Sequence, residues 1–170
     1  QSCDQKNNME KPKFLYHGSP KKDINSLIPK NKIFEGEEKE FVFASPDKKT
    51  ALSYLAKGAY GWSAGIYNGE YFVALPVSKE KFKEQDQGGA IYVFDSQNFR
   101  STEHRNDYEW VSEQEEKPVE KELFNSTLET IENADIKMYF LDSEENYHKY
   151  LSIKQADQRA AYDFLKSFVK

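Results

Sequence analysis

Hydrophobic residues in this chain fall into short blocks that are separated by polar stretches containing Gly and Pro, a pattern typical of several strands joined by turns and helices. The first block, 14–17, predicts a strand that ends at His17 and turns at once through Gly18-Ser19-Pro20. Similar blocks predict further strands at 40–45, 71–75, 90–94, 108–112 and 136–141, whereas 119–124 is ambiguous. This arrangement places the His17 imidazole and the accessible backbone groups of the following turn at the C-terminal end of the first strand.

Helix signals lie between and after these blocks. Ser45-Pro46-Asp47 predicts a helix start, with Ser45 as N-cap and Pro46 at the first helical position, and this helix carries Tyr54 and ends before Gly58. A second helix is predicted at 127–133, because Ser126 and Glu129 form a capping box.

The sequence after Asp142-Ser143 is helical in pattern to its end, with an apolar stripe near the C-terminus. The chain therefore predicts an α+β domain with a mixed or antiparallel sheet core, flanking helices and a C-terminal helical segment from about residue 143. We expect residues 1–12 to be a disordered or expression-derived leader and residues 13–170 to form a single domain.

The stretch 56–70 combines four glycines with the aromatic residues Tyr60, Trp62 and Tyr67. Glycine-rich sequence of this kind predicts a mobile loop that covers a site. We expect Tyr60 and Trp62 to be residues that pack within this loop.

Composition narrows the class of protein. The chain of 170 residues is 38% hydrophobic and 15% aromatic, which favours a folded globule, and its formal net charge of −5 excludes a whole-body attraction for nucleic acid. A single Cys and 3 His argue against a disulfide framework and against cysteine-rich metal sites. The polar start and the lack of a long apolar run predict a soluble protein, cytoplasmic in the first instance, with a secreted effector as the alternative.

Three separated elements carry candidate chemistry. The first is Leu15-Tyr16-His17-Gly18-Ser19, the second is Val42-Phe43-Ala44-Ser45 followed by a helix with Ala51 and Tyr54, and the third is Glu109-Trp110-Val111-Ser112. In their order and spacing these elements resemble the ADP-ribosyltransferase superfamily in its His–Tyr–Glu branch. That branch includes diphtheria-type toxins, poly(ADP-ribose) polymerases and, more distantly, RNA 2′-phosphotransferases. The resemblance covers residues 17 to about 113 and implies a split β-sheet core of that superfamily's type.

The resemblance implies an enzyme that cleaves the bond between nicotinamide and ribose in NAD. Positive charge grows on the ribose in such a reaction, so a carboxylate is favoured more in the transition state than in the ground state. Glu109 would take this role, Tyr54 would stack on nicotinamide, and His17 would hold the adenosine-side ribose by a ring N–H. The backbone of Gly18, with Ser19 beside it, would contact the nicotinamide amide, and Ser45 would bond the same amide if it is not used as an N-cap.

Each of these residues also has a purely structural interpretation. His17 could pair with turn backbone, Tyr54 could be a core aromatic, Ser45 could be only a cap, and Glu109 could lie on a solvated strand face. The related Arg–Ser–Glu branch uses a Glu-x-Glu pair, and Glu113-Gln114-Glu115 has that form. Glu113 is therefore the alternative carboxylate, although that branch begins with Arg where this chain has His17.

The sequence thus predicts an NAD-dependent mono-ADP-ribosyltransferase, toxin-like in type, with NAD as substrate, no metal, and an unidentified acceptor that could be a protein. The alternatives are an RNA 2′-phosphotransferase and a non-catalytic NAD- or partner-binding module on the same scaffold. No membrane partner is expected, and nucleic acid is disfavoured by the acidic composition. Candidate contacts for the NAD phosphates are Lys21, Lys22, Arg100, His104 and Arg105.

Overall fold

The computed structural model describes residues 11–33, 35–58, 61–102 and 108–169. The strands in this part are β1 Phe14–Ser19, β2 Val42–Ala44, β3 Ser63–Tyr67, β4 Glu70–Leu75, β5 Gly89–Asp95, β6 Arg100–Ser101, β7 Trp110–Ser112, β8 Glu120–Phe124 and β9 Lys137–Phe140. The helices are α1 Lys48–Ser53, α2 Lys79–Gln85, α3 Thr127–Asn133, α4 Glu144–Ala156 and α5 Gln158–Lys166, with a 3₁₀-helix at Tyr54–Ala56. The predicted α+β class is confirmed. The predicted leader lies almost wholly outside the described residues.

The strands form three sheets of three strands each, with the orders β1-β5-β8, β2-β7-β6 and β3-β4-β9. Pairing of β2 with β7 and of β6 with β7 is antiparallel, as is that of β3 with β4, whereas β4 and β9 are parallel. The sheets are thus mixed overall, as the sequence predicts.

The chain divides into two compact units. The first comprises the described residues within 1–17, 24–48 and 92–121, and the second comprises those within 18–23, 49–91 and 122–170. Unit 1 contains β2, β6 and β7 together with most of β1, and its buried side chains include Phe41, Val42, Phe94 and Val111. Hydrophobic burial of this kind is the main stabilising contribution to such a core.

Unit 2 is built on the sheet β3-β4-β9 and on all five α-helices except the first residue of α1. Its core joins the inner face of this sheet to α4 and α5 through buried aromatic and aliphatic side chains. The cluster contains Phe72, Ala74, Tyr139, Leu141, Tyr147, Tyr150, Ala161, Tyr162 and Leu165. The C-terminal helical segment is therefore part of a core and not an appendage to one.

The stretch 56–70 differs from the predicted mobile loop. Residues Ser63–Tyr67 form β3, which pairs with β4 through an Asn68-Gly69 turn. Asn68 has φ 50° and Gly69 has φ 79°, the left-handed conformations that a tight two-residue hairpin turn requires. The Asn68-Gly69 pair is a sequence signal for a hairpin turn. We did not predict the hairpin because the small residues of β3 lack the alternation of apolar and polar residues that indicates a strand.

The helix boundaries in the structure agree with the sequence prediction for α3 and differ from it for α1. The predicted cap of α3 is confirmed, since the Ser126 side chain accepts a hydrogen bond from Glu129 N at 3.1 Å. The start of α1 was predicted wrongly: the helix begins at Lys48, and Ser45 Oγ instead accepts from Asp47 N at 3.1 Å in the turn before it. Helix α2 was not predicted, because Phe82 is its one buried residue and the Ser78 cap is its main sequence signal.

Candidate functional site

His17 lies near the end of β1, and its ring is held against the backbone of β2. The Nδ1 atom is 3.2 Å from the carbonyl oxygen of Phe43, and the contact is partly buried. A carbonyl oxygen only accepts hydrogen bonds, so Nδ1 carries the proton in this contact. This hydrogen bond fixes the orientation of the imidazole ring against β2.

The end of β1 is paired with the residue that follows β2. Tyr16 and Ser45 exchange two backbone hydrogen bonds, with N···O distances of 2.7 and 2.8 Å. Ser45 is buried, being only 5% exposed, because it lies directly beside this bridge. The first two predicted motifs therefore meet in unit 1 through backbone pairing.

The third motif joins them on the other side of β2. Ala44 is the register partner of Trp110, and Ser45 and Glu109 are the residues that follow and precede this last pair of the β2–β7 register. The backbone of Glu109 is held in place by Thr102, whose N–H and hydroxyl group donate to the Glu109 carbonyl oxygen at 3.2 and 3.3 Å. Glu109 directly precedes β7, as the sequence predicts, and its side chain is half-buried.

His17, Ser45 and Glu109 thus come from three adjacent backbone segments of one unit. β1 and β7 lie on the two sides of the segment that contains Ser45. Two inter-strand spacings therefore separate them, which corresponds to about 9–10 Å between their backbones. β1 contacts this segment through the Tyr16–Ser45 bridge, and β7 contacts it through the Ala44–Trp110 pair.

The alternative carboxylate, Glu113, is engaged elsewhere. Its Oε1 is 2.6 Å from Lys39 Nζ, and both side chains are more than half exposed. The hydrogen bond and the charge of Lys39 lower the pKa of the Glu113 carboxyl. Because β7 ends at Ser112, Glu113 and Glu115 lie beyond the strand. The ion pair gives Glu113 a structural partner that explains its position.

Gly18 has a packing role that the sequence did not indicate. The carbonyl oxygen of Ala51 in α1 occupies the space that a Cβ atom on Gly18 would need, and Ile91 Cδ1 lies 3.2 Å from the same point. The missing side chain is therefore explained by the close approach of α1. Beside it, Ser19 Oγ accepts from the backbone N–H of Lys21 at 3.1 Å and so stabilises the turn.

Tyr54 begins the 3₁₀-helix in unit 2 and is 39% exposed, so it is not the fully buried core aromatic that we considered as its structural interpretation. Its ring packs on Trp62, with centroids 4.8 Å apart and planes inclined by 46°. Trp62 was predicted as a residue that packs within the stretch 56–70, whereas its partners here, Tyr54 and Ser53, precede that stretch. Tyr60 lies outside the described residues.

Of the candidate phosphate contacts, Lys21, Lys22 and Arg100 lie in the described residues. The Arg100 guanidinium lies 5.5 Å from the ring centroid of Phe41 in unit 1, which gives it a cation–π partner. Lys21 and Lys22 belong to the segment 18–23 of unit 2, and His104 and Arg105 lie outside the described residues.

A cavity of about 350 Å³ in unit 2 is lined by Tyr67, Asn68, Arg159, Tyr162, Asp163 and Lys166, and none of the predicted site residues lines it. In the described ranges no group of three or more His, Cys, Asp or Glu side chains could hold a metal ion. Within the same ranges, every helix is too short or too polar to cross a lipid bilayer.

Comparisons with known proteins give no match for this chain, whether against protein-family models, curated proteins or solved structures.

Proposed function

We propose that this chain is an NAD-dependent mono-ADP-ribosyltransferase that cleaves the nicotinamide–ribose bond and transfers ADP-ribose to an acceptor. The observation that supports this proposal best is that backbone pairing brings the segments of His17, Ser45 and Glu109 side by side in unit 1, although the three motifs are far apart in sequence. A carboxylate, a hydroxyl group and an imidazole are the groups that a ribosyl transfer would use.

Each group has a definite task under this proposal. As the bond to nicotinamide breaks, positive charge develops on the ribose, and the Glu109 carboxylate stabilises that charge. His17, whose Nδ1 donates to the Phe43 carbonyl oxygen, contacts a ribose hydroxyl and so orients the sugar. The nicotinamide leaves with the bonding electron pair, and the acceptor nucleophile then forms the new bond to ribose.

The direct test is nicotinamide release from NAD by the purified full chain. Glu109→Gln removes the charge but keeps the shape of the side chain, and we expect it to lower the rate about 10²- to 10³-fold. The matched control is Glu113→Gln, which removes a nearby carboxylate of the same type whose partner is Lys39. We expect the control to release nicotinamide at a rate within about twofold of the wild type, because an exposed ion pair contributes little to stability.

Two other outcomes would replace this proposal. Removal of phosphate from a 2′-phosphorylated oligonucleotide in the presence of NAD, without release of nicotinamide from NAD alone, would favour RNA 2′-phosphotransfer. Calorimetric binding of NAD without turnover in either assay would favour a non-catalytic binding module. Equal loss of nicotinamide release in Glu109→Gln and Glu113→Gln would contradict the assignment of Glu109.

A further inference from the structure

The cavity of unit 2 lies between the turn of the β3–β4 hairpin and one face of α5. Tyr67 and Asn68 line it from the hairpin. The lining residues of the helix are spaced by three, four and seven positions, which places them on one face, and they are Arg159, Tyr162, Asp163 and Lys166. All six residues belong to unit 2, and the volume of about 350 Å³ is in the range of sites for small molecules.

Tyr162 gives this cavity a fixed wall. Its side chain is only 8% exposed, and its ring packs on the Tyr67 ring with a centroid distance of 4.8 Å. Its hydroxyl group donates to the Glu70 carboxylate and accepts from the Tyr139 hydroxyl group at 3.3 Å. Because these neighbours engage the Tyr162 hydroxyl group, a ligand in the cavity meets the ring and not the hydroxyl group.

The two cationic side chains of the cavity differ in their partners. Lys166 Nζ is 3.4 Å from Asp163 Oδ1 and 5.1 Å from the centroid of the Tyr162 ring, so a carboxylate of the same cavity offsets its charge. The Arg159 guanidinium is exposed and makes no hydrogen bond or ion pair with any residue that the structure describes. The lining therefore has a net charge of +1, and Arg159 carries it.

The backbone at the start of α5 is already satisfied. Asp157 caps this helix by accepting hydrogen bonds from the N–H groups of Arg159 and Ala160 at 3.0 and 3.2 Å. An anion in the cavity would therefore be held by the Arg159 side chain. A guanidinium presents its N–H donors in a planar fork that matches two oxygen atoms of a carboxylate or a phosphate.

We propose that this cavity is a binding site for a small organic oxyanion. The carboxylate or phosphate group of the ligand pairs with Arg159, and the body of the ligand contacts Tyr67 and Tyr162. This site is independent of the proposed function, because the cavity contains none of the residues assigned to NAD cleavage. The sequence does not indicate it, since the hairpin and α5 are far apart in the chain.

The experiment titrates the full chain with three small molecules and follows binding by heteronuclear NMR. Phenyl phosphate and benzoate supply the two anionic groups, and benzyl alcohol supplies a neutral ring of similar size. We expect at least one anion to bind saturably and at least about tenfold more tightly than benzyl alcohol, because a charged group strengthens the hydrogen bonds that Arg159 makes. The backbone amides of Asn68 and Arg159 should be among those that shift. Tighter binding of phenyl phosphate identifies a phosphate site, and tighter binding of benzoate identifies a carboxylate site.

Variants of the cavity give effects of opposite sign. Arg159→Gln should weaken binding of the preferred anion about tenfold or more, and Arg159→Lys, which keeps the charge without the planar fork, should lie between it and the wild type. Asp163→Asn should tighten binding about two- to fivefold, because it removes a carboxylate that repels the anion. The matched control is Lys154→Gln on α4, which removes a cation of unit 2 outside the cavity and should stay within about twofold of the wild type. Arg159 and Asp163 are exposed, and thermal unfolding checks that each variant is folded.

Several results would overturn the inference. Absence of saturable binding for both anions would do so, as would benzyl alcohol that binds as tightly as they do. Equal affinity in wild type and Arg159→Gln would remove the guanidinium from the site. Equal loss in Arg159→Gln and Lys154→Gln would reduce the binding to a general attraction between charges, and weaker binding in Asp163→Asn would contradict the charge balance described above.

Discussion

The Ala51 carbonyl oxygen lies where a Cβ atom of Gly18 would have to be, so α1 packs directly on the backbone at the end of β1. A backbone carbonyl inside a helix cannot move aside as a flexible side chain can. Glycine is therefore required here by packing, although its neighbour His17 attracts attention for chemical reasons.

We expect Gly18→Ala to destabilise the fold by about 3 kcal/mol or more, because the added methyl group overlaps a fixed backbone atom. Ser19→Ala, one residue further, should cost about 1 kcal/mol, since it loses one hydrogen bond to Lys21 N. Urea-induced unfolding of both variants measures the difference. Equal and small losses would show that α1 can shift, and loss of NAD binding in a fully stable Gly18→Ala variant would return the glycine to a ligand role.

Asp86 should make the fold sensitive to acid. Burial by itself raises the pKa of this carboxyl, but hydrogen bonds from Leu128, Thr127 and Gly88 N–H groups and from the Ser126 hydroxyl group outweigh burial and lower it below the ordinary value. A lowered pKa in the folded state means that the stabilisation is present above the unfolded-state pKa, about 4, and is lost as pH falls through the folded value.

Asp86→Asn should therefore cost about 2 kcal/mol at neutral pH, because a neutral amide accepts these bonds more weakly than a carboxylate does. The cost should shrink as pH falls below about 4, where the wild-type carboxyl also becomes neutral. Urea unfolding between pH 2.5 and 7 measures both effects, with exposed Asp163→Asn as the control for a charge change. A pH-independent difference between wild type and Asp86→Asn would contradict this role.

The hairpin between β3 and β4 depends on the backbone conformation at Gly69. Its φ of 79° is in the left-handed region, and no atom lies within 4 Å of an added Cβ, so a side chain there would be strained without a clash. Gly69→Ala should cost about 1 kcal/mol, and Gly69→Asn should cost less, because Asn tolerates this conformation better than Ala. Thermal unfolding of the two variants tests the order, and an Ala variant as stable as the Asn variant would contradict it.

Tyr150 should contribute to loss of stability in alkali. Burial, followed by the charge of nearby Tyr147, raises the pKa of the Tyr150 phenol to about 12. Because the folded-state pKa is raised, the stabilisation is complete below the unfolded-state value of about 10 and is lost as pH rises from there towards the folded-state value.

We expect Tyr150→Phe to show a shallower fall in the free energy of unfolding between pH 10 and 11.5 than the wild type, by about 1.4 kcal/mol per pH unit at most. Urea unfolding across this range, with tryptophan emission as the signal, makes the comparison. If Tyr150→Phe loses stability with rising pH as steeply as the wild type, other phenols cause the loss of stability in alkali. Tyr139 is the first of these to test, because burial and the charge of Glu70 raise its pKa as well.

By itself the sequence determined the α+β class, the approximate positions of most strands, the Ser126 cap of α3 and the helical C-terminal segment. These features follow from signals within a few residues, namely apolar blocks, alternation and capping side chains. The Asn68-Gly69 turn and the Ser78 cap carry local signals of the same kind, and they show that more of unit 2 could have been predicted.

Only the tertiary structure decided that Ser45 and Glu109 flank the Ala44–Trp110 pair, that His17 donates to Phe43, that α1 requires Gly18, and that Trp62 packs on Tyr54. Each of these relationships joins residues from different elements. They depend on sheet register and on how closely elements approach, and a slip of one residue would turn every side chain of a strand to its other face. The residue types near His17 suggest a chemistry, but the long-range pairing alone determines which groups can act together.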